Sequence, residues 1–439
     1  MNAKRFRVVP CLSFTLAALL TIPSARIVLA QTAAEESVTS AATTSPTATR
    51  FHFTDKGDDR AGKMTTDAAG NFYVSASLDA ASHTSGFAVL KYNFSGKLQG
   101  AFRYKNAPGE FQGVAQAVKV DKHGNIYAAG FTTVGGLVVS FTSSGVQRWA
   151  DRFGTSAGNP VALAIDASGN IYAAGNVGHG GSDGVGPLLE WDIVKYSSTG
   201  QVLWEQHHTG DPSLDSRVTD IQLDSQGNAI ILGTTSNSPV TLTNKMTLVK
   251  FDPHGDTLWA KDFTVTSNAQ IPGGLVIDAG GNVYATSVTN PPEGINLAST
   301  VKYDPNGVLK FTLQGKDAGG TSIALDPVGD ILLTGDTINF GKPDTIEVTK
   351  IHRSGAKVWV TPIPATGKIG SDSAGNVFVA GFGFQITKVN SQGKVLFSLS
   401  LLPGDDVTDA VVDPFDNALA TGFGPNAQFN NDIFTVRLK

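Results

Sequence analysis

His179, Asp183, Glu190, His207, His208, Asp211 and Asp215 crowd into one stretch of the chain and have the side-chain types that bind metals or move protons. Neutral imidazole nitrogen and ionised carboxylate oxygen are ligands for a divalent cation, and the same two groups serve as general acid and base. Their spacing matches no defined ligand motif. The plainer reading is of hydrated loop side chains, with His207 and His208 ending a strand. They fall in two variable segments, 175–191 and 206–220, and a third such segment spans 287–299.

Any such chemistry proceeds without thiols. Cys11 is the only cysteine of 439 residues, and it sits where Lys4, Arg5 and Arg7 give way to the apolar run Leu12 to Ile22, followed by Val28, Leu29 and Ala30. That order is the pattern of a secretory signal, residues 1–30. Pro23 and Arg26 interrupt the run, so no stable membrane span is expected, and no later stretch reaches the roughly 18 apolar residues a span needs. The chain reads as exported, to the periplasm or the extracellular medium, with no disulfide, no Cys-ligated zinc and no catalytic cysteine. Cutting after Ala30 also removes four cations and no anion, leaving 29 basic against 38 acidic residues, a net charge of −9. That charge opposes phosphate backbones and argues against nucleic acid as a partner. Residues 31–49, rich in Ala, Ser and Thr without an apolar period, read as a flexible spacer.

The elements that must position the cluster come from internal repeats. A turn of the form Asp-x-x-Gly-Asn, varied to "DPVGD" at Asp326 and "DPFDN" at Asp413, starts at Asp67, Asp121, Asp166, Asp224, Asp278, Asp326, Asp372 and Asp413, at intervals of 41 to 58 residues. Alternating apolar runs flank each copy, such as "VALAID" before and "NIYAAG" after, so the unit is strand, tight turn, strand. The aspartate can accept hydrogen bonds from backbone N–H groups round the turn, and the glycine supplies a positive φ. Six of the eight turns offer one carboxylate and a glycine, and those at Asp326 and Asp413 only two carboxylates, too few oxygens for a calcium loop, so the aspartates read as structural caps.

A second phrase follows each hairpin, as in "IVKYSSTGQVLW" and "LVKFDPHGDTLW", again strand, turn, strand. Gly96, Gly145, Gly200, Gly255, Gly307, Gly355 and Gly393 hold one place in it, and four residues later stand Trp149, Trp204, Trp259, Phe311, Trp359 and Phe397, with Gly100 as the exception. Four strands in units of this length are the signature of blades in a β-propeller, with the rings packing blade on blade. The last unit stops at "DIFTVRLK", one strand short, while "RFHFT" at Arg50–Thr54 has no partner of its own. The expected fold is therefore all-β, a single eight-bladed propeller of four-stranded antiparallel blades over residues 50–439, closed by the N-terminal strand. Seven blades is the alternative. Lys91, Lys195, Lys250, Lys302, Lys350 and Lys388, with Ser140 and Arg437 at the same place, read as stems lying over neighbouring rings with their ammonium groups in solvent.

The two phrases together resemble the SBBP family of bacterial β-propeller repeats, over residues 50–439. The resemblance implies an exported or cell-surface propeller and assigns no chemistry. "VKYDPNGVLKF" is also similar to the repeat of quinoprotein dehydrogenases, whose vicinal cysteine pair is missing. The hairpin phrase is similar to that of virginiamycin B lyase-like propellers, whose Trp-Phe-Thr strand pattern is not kept.

With strands a to d running outward from the axis, the tight a–b and c–d turns share one face and the variable b–c and d–a segments the other. Binding residues favour variable loops on a rigid frame. The expected function is a monomeric binding or interaction scaffold for a protein, glycan or small molecule, with no cofactor. The alternative is a metal-assisted lyase or hydrolase using His179, His207 and nearby carboxylates.

Overall fold

The computed structural model describes residues 36–38, 48–53, 57–79, 85–105, 113–154, 158–179, 188–208, 216–236, 244–264, 270–289, 297–315, 319–337, 345–401, 406–425 and 430–438. Their strands form eight antiparallel sheets, the blades of a β-propeller. In blade 1 the strands are Arg60–Thr66, Phe72–Asp79, Ser85–Tyr92 and Leu98–Arg103, and in blade 2 Gly113–Val120, Ile126–Thr132, Gly135–Phe141 and Gln147–Phe153. Blade 3 comprises Asn159–Ile165, Ile171–His179, Leu188–Tyr196 and Val202–His208. Strand b is buried along its length on both faces, as in Phe72–Asp79, because a neighbouring blade covers each side. Strand d alternates between exposed and half-buried positions, as in Gln147–Phe153, because it forms the rim.

Closure follows the sequence expectation. Ala48–Phe53 pairs antiparallel with Asn431–Leu438 and completes blade 8, whose other strands are Asp406–Val412 and Ala418–Pro425. One apolar cluster lies between each pair of adjacent blades, and the last joins Phe51, Phe53, Leu419 and Ile433 to Met64, Phe72 and Tyr92 of blade 1. The eight-bladed reading stands and the seven-bladed alternative falls away. The segment read as a spacer carries a strand of its own: Glu36–Val38 pairs with Ala48–Arg50 as a fifth, outermost strand. The expected signal, residues 1–30, lies outside the described residues.

The turn of blade 4 shows how each repeated aspartate is used. Asp224 Oδ1 accepts from the backbone N–H groups of Gln226 and Asn228, both at 2.9 Å, and Oδ2 accepts from Asn228 Nδ2 at 2.8 Å. Gly227, at φ +81°, donates its N–H to the Asp224 carbonyl at 3.0 Å. Blade 8 has Asp416 in the glycine place and holds it at φ +64°, a region in which Asp is better tolerated than most residues.

The lysine reading is half overturned. The stems do lie over rings, with Lys195 Nζ 4.7 Å from the Tyr172 centroid and Lys388 Nζ 4.4 Å from that of Phe378. Their ammonium groups, however, do not all reach solvent. Lys195, Lys250 and Lys350 are buried. Lys250 Nζ stands 2.9 Å from Asp224 of its own blade and donates at 3.2 Å to the Pro305 carbonyl in the next blade's c–d turn. Trp259 Nε1 donates to that same carbonyl at 3.1 Å. Lys195 and Trp204 share the Pro253 carbonyl one blade earlier. A buried turn carboxylate attracts the cation inward, and the spare carbonyls of the adjoining turn satisfy its remaining protons. Blade 2 lacks the lysine, and Arg148 reaches in from strand d to Ser140 Oγ at 3.0 Å and Tyr127 Oη at 3.2 Å.

The repeated glycine of the c–d turn serves the ring of the preceding blade. A Cβ on Gly255, at φ +94°, would lie 3.0 Å from Trp204, and one on Gly393 would lie 2.9 Å from Trp359. Blade 1 has Gly100 in the ring's place, and Phe102, two residues on, packs against Gly145 instead. Phe51 of the closing strand plays the same part for Gly96. Contacts such as Ser373 N–H to Asp416 Oδ1 at 2.7 Å and Phe94 on Phe415 at 5.0 Å join tight turns of adjacent blades to one another. They share one face of the wheel.

Candidate functional site

Strand alternation distributes the side chains of blade 3 between its two neighbours. On strand c, Trp191 and Ile193 enter the cluster shared with blade 4, and Trp191 Nε1 donates to the Thr234 carbonyl at 3.2 Å. Val194 and Tyr196 enter the cluster shared with blade 2, and Asp192 has their parity. On strand d, His207 stands opposite Asp192 and Glu205 opposite Val194. Trp204 joins the blade 4 side, and His208 lies against Trp191 with centroids 5.1 Å apart. The two adjacent histidines are therefore divided: His207 turns toward blade 2, while His208 is a packing residue whose burial lowers its pKa.

A cavity of about 360 Å³ lies between the outer strands of blades 2 and 3. Asp151, Arg152 and Gly154 border it from blade 2, and Val177, Glu190, Val194, Tyr196, Glu205 and His207 from blade 3. Gly154 takes φ +62°, and a Cβ there would run into Val177 and come within 3.0 Å of Asp192 Oδ2. Arg152 is held by donating to Thr132 Oγ1 at 3.1 Å.

Asp192 is the unusual group. It is 0 % exposed, and among the described residues neither carboxyl oxygen has a hydrogen-bond partner of good geometry. His207 Nδ1 stands 3.3 Å from its Oδ1, and His207 Nε2 stands 3.9 Å from Glu205 Oε1. Burial, then the charge of Glu205, pushes the Asp192 carboxyl up to about 8. Burial also drives the Tyr196 phenol far upward, and its hydroxyl is among the buried polar atoms without a hydrogen-bond partner of good geometry among the described residues. Such groups carry an energetic cost that blade folding does not repay.

Of the seven residues expected from sequence, Glu190 and His207 border the cavity and His208 faces the other way. His179 ends strand b of blade 3, its side chain outside the described residues, as are Asp183, Asp211 and Asp215. Asp151, Asp192, Tyr196 and Glu205 were missed. A signal existed for Asp192: aligning the copies on their lysine sets it against Thr247, Ser299 and Gln385, with Glu347 as another carboxylate, in a strand covered on both faces. Asp151 and Glu205 occupy rim positions, where acidic residues are ordinary.

No family model matches the chain, and no curated protein matches it. Among solved structures it is similar to BamB from Moraxella catarrhalis, at 14 % identity over 88 % of this chain and 92 % of that one, with TM-score 0.52. It is also similar to the C-terminal WD40 domain of Sif2, at 9 % identity over 86 % and 96 % with TM-score 0.55. A streptogramin B lyase structure matches at 11 % identity over 89 % and 97 %, with TM-score 0.50. At these identities the likeness is one of fold. Among the described residues, no helix is long and apolar enough to cross a membrane.

Proposed function

We propose that the chain is an exported β-propeller acting as a binding scaffold, with the groove between blades 2 and 3 as a point at which its ligand is held. One observation carries this reading. The tight turns of one face satisfy their own polar groups and those of neighbouring blades, whereas Asp192 and Tyr196 keep buried polar atoms without partners among the described residues, beside a cavity. A rigid ring with committed turns and a polar groove suits recognition. The apolar run behind Lys4, Arg5 and Arg7 supports export, and the two repeat phrases support placement among SBBP-type repeats. The acidic balance supports a protein, glycan or small molecule over nucleic acid as the ligand. Among the described residues lining the groove no serine, threonine or cysteine stands beside His207, and catalysis is kept as the second reading.

The test is a thermal-shift screen of the full chain against sugars, small metabolites and envelope extracts, joined to cell fractionation. A ligand should raise the melting temperature, and Arg152→Ala with Glu190→Ala should abolish the rise. Deleting residues 2–30 should leave the protein in the cytoplasm. A ligand response untouched by the groove variants, or unchanged localisation after the deletion, would refute the corresponding half of the proposal.

A further inference from the structure

We propose that Asp192, Glu205 and His207 bind one divalent transition-metal cation, of the zinc or manganese class, in the groove between blades 2 and 3. One ligand atom from each residue lies within 4.8 Å of the other two. Tetrahedral ligands at about 2.1 Å from an ion stand roughly 3.4 Å apart, and His207 Nδ1 and Asp192 Oδ1 are already 3.3 Å apart. Glu205 is on the rim, 43 % exposed, and can close the remaining distance by rotation about its side-chain bonds.

The second, independent observation is the state of Asp192. A fully buried carboxyl whose two oxygens find no hydrogen bond of good geometry among the described residues is costly in a well-packed sheet, and a cation supplies the missing partner. The chemistry of the trio selects the class of ion. An imidazole nitrogen with two carboxylates suits zinc, manganese and their neighbours, whereas calcium demands six or more oxygens and magnesium retains most of its waters. The cavity leaves the rest of the coordination sphere open to water or to a ligand.

The trio is no by-product of the repeat. The places of Asp192, Glu205 and His207 hold Thr247, Ala260 and Asp262 in blade 4, Ser299, Thr312 and Gln314 in blade 5, and Gln385, Ser398 and Ser400 in blade 7. Blade 6 repeats the buried carboxylate as Glu347 but has Val360 and Pro362 in the other two places, so the conjunction of all three groups in blade 3 calls for a separate reason. The inference does not depend on the scaffold reading, since an ion can bind whether or not a further ligand follows.

The experiment is calorimetric titration of the full chain, carrying no histidine tag and stripped with a chelator, using Zn²⁺ and Mn²⁺ separately. One saturable site per chain is expected, and Co²⁺ bound there should show visible absorption that Zn²⁺ quenches. Asp192→Asn and His207→Ala should each weaken binding more than tenfold. Glu205→Gln removes a ligand at the rim without disturbing the core, and it should weaken binding similarly. His208→Ala, on the opposite face of the same strand, should bind as the parent does. No saturable binding of either ion, or equal affinity in the parent and all three ligand variants, would overturn the proposal.

Discussion

Lys250 and Asp224, with side chains only 2 and 4 % exposed, test the lock between blades residue by residue. Burial alone would raise the Asp224 carboxyl, but the bonds from Asn228 and Lys250 outweigh it and hold it below its ordinary value of 3.8. Because the folded value is the lower one, stability from this group is fully present above about pH 4 and is lost as pH falls through the folded value. Asp224→Asn leaves a buried ammonium without its counter-charge and should cost about 3 kcal/mol at pH 7. Urea titrations over a pH series should show the deficit shrinking below about pH 4. A deficit that stays constant down to pH 2 would mean that charge plays no part. Gly96 supplies a second test at this scale, since it has φ +84° and a Cβ there would overlap Phe51. Gly96→Ala should lower the melting temperature, with a cost of about 1–3 kcal/mol from backbone strain alone, whereas Gly169→Ala, whose Cβ would meet nothing within 4 Å, should cost less. Equal losses would argue that the packing on Phe51 is unimportant.

The closing strand decides matters at the next scale. Ala48–Phe53 adds six residues to the edge of Asn431–Leu438 and carries Phe51 and Phe53 into the cluster between blades 8 and 1. Phe51→Ala should cost about 3–5 kcal/mol, read by chemical denaturation. Deleting residues 31–53 exposes the edge of Asn431–Leu438 and should drive self-association, visible as earlier elution in size-exclusion chromatography. A truncated chain that stays monomeric and equally stable would show that the ring does not need this strand. Much of this was legible beforehand. "RFHFT" and "DIFTVRLK" each lacked a partner, and counting strands joined them. The role of Phe51 was not legible, because it stands two residues beyond the register place of the rings in blades 3 to 7, as Phe102 does in blade 1, and only the pairing reveals the offset.

Across the whole molecule, the clusters between adjacent blades link every sheet to two others, so no blade is an end. Open repeat arrays unfold from their ends. This closed ring should instead give one transition, with far-ultraviolet circular dichroism and tryptophan fluorescence coinciding, since tryptophans are spread over blades 2, 3, 4 and 6. Separate midpoints for the two probes would contradict ring-wide coupling.

The amino-acid sequence by itself determined the repeat, its eight copies, the tight turns and the missing strand, because those depend on periodicity and on local turn chemistry, which are written at fixed spacings. Only the tertiary structure decided where the lysines end and which histidine belongs to the groove. Lys250 is drawn inward by a carboxylate 26 positions earlier and a carbonyl 55 positions later. His207 and His208 are parted by the pleat, which sends neighbours in sequence to opposite blades. Asp192 meets Glu205 and His207 through the pairing of two strands, and a cross-strand neighbour is fixed by register, a property of the folded sheet that no spacing along the chain encodes.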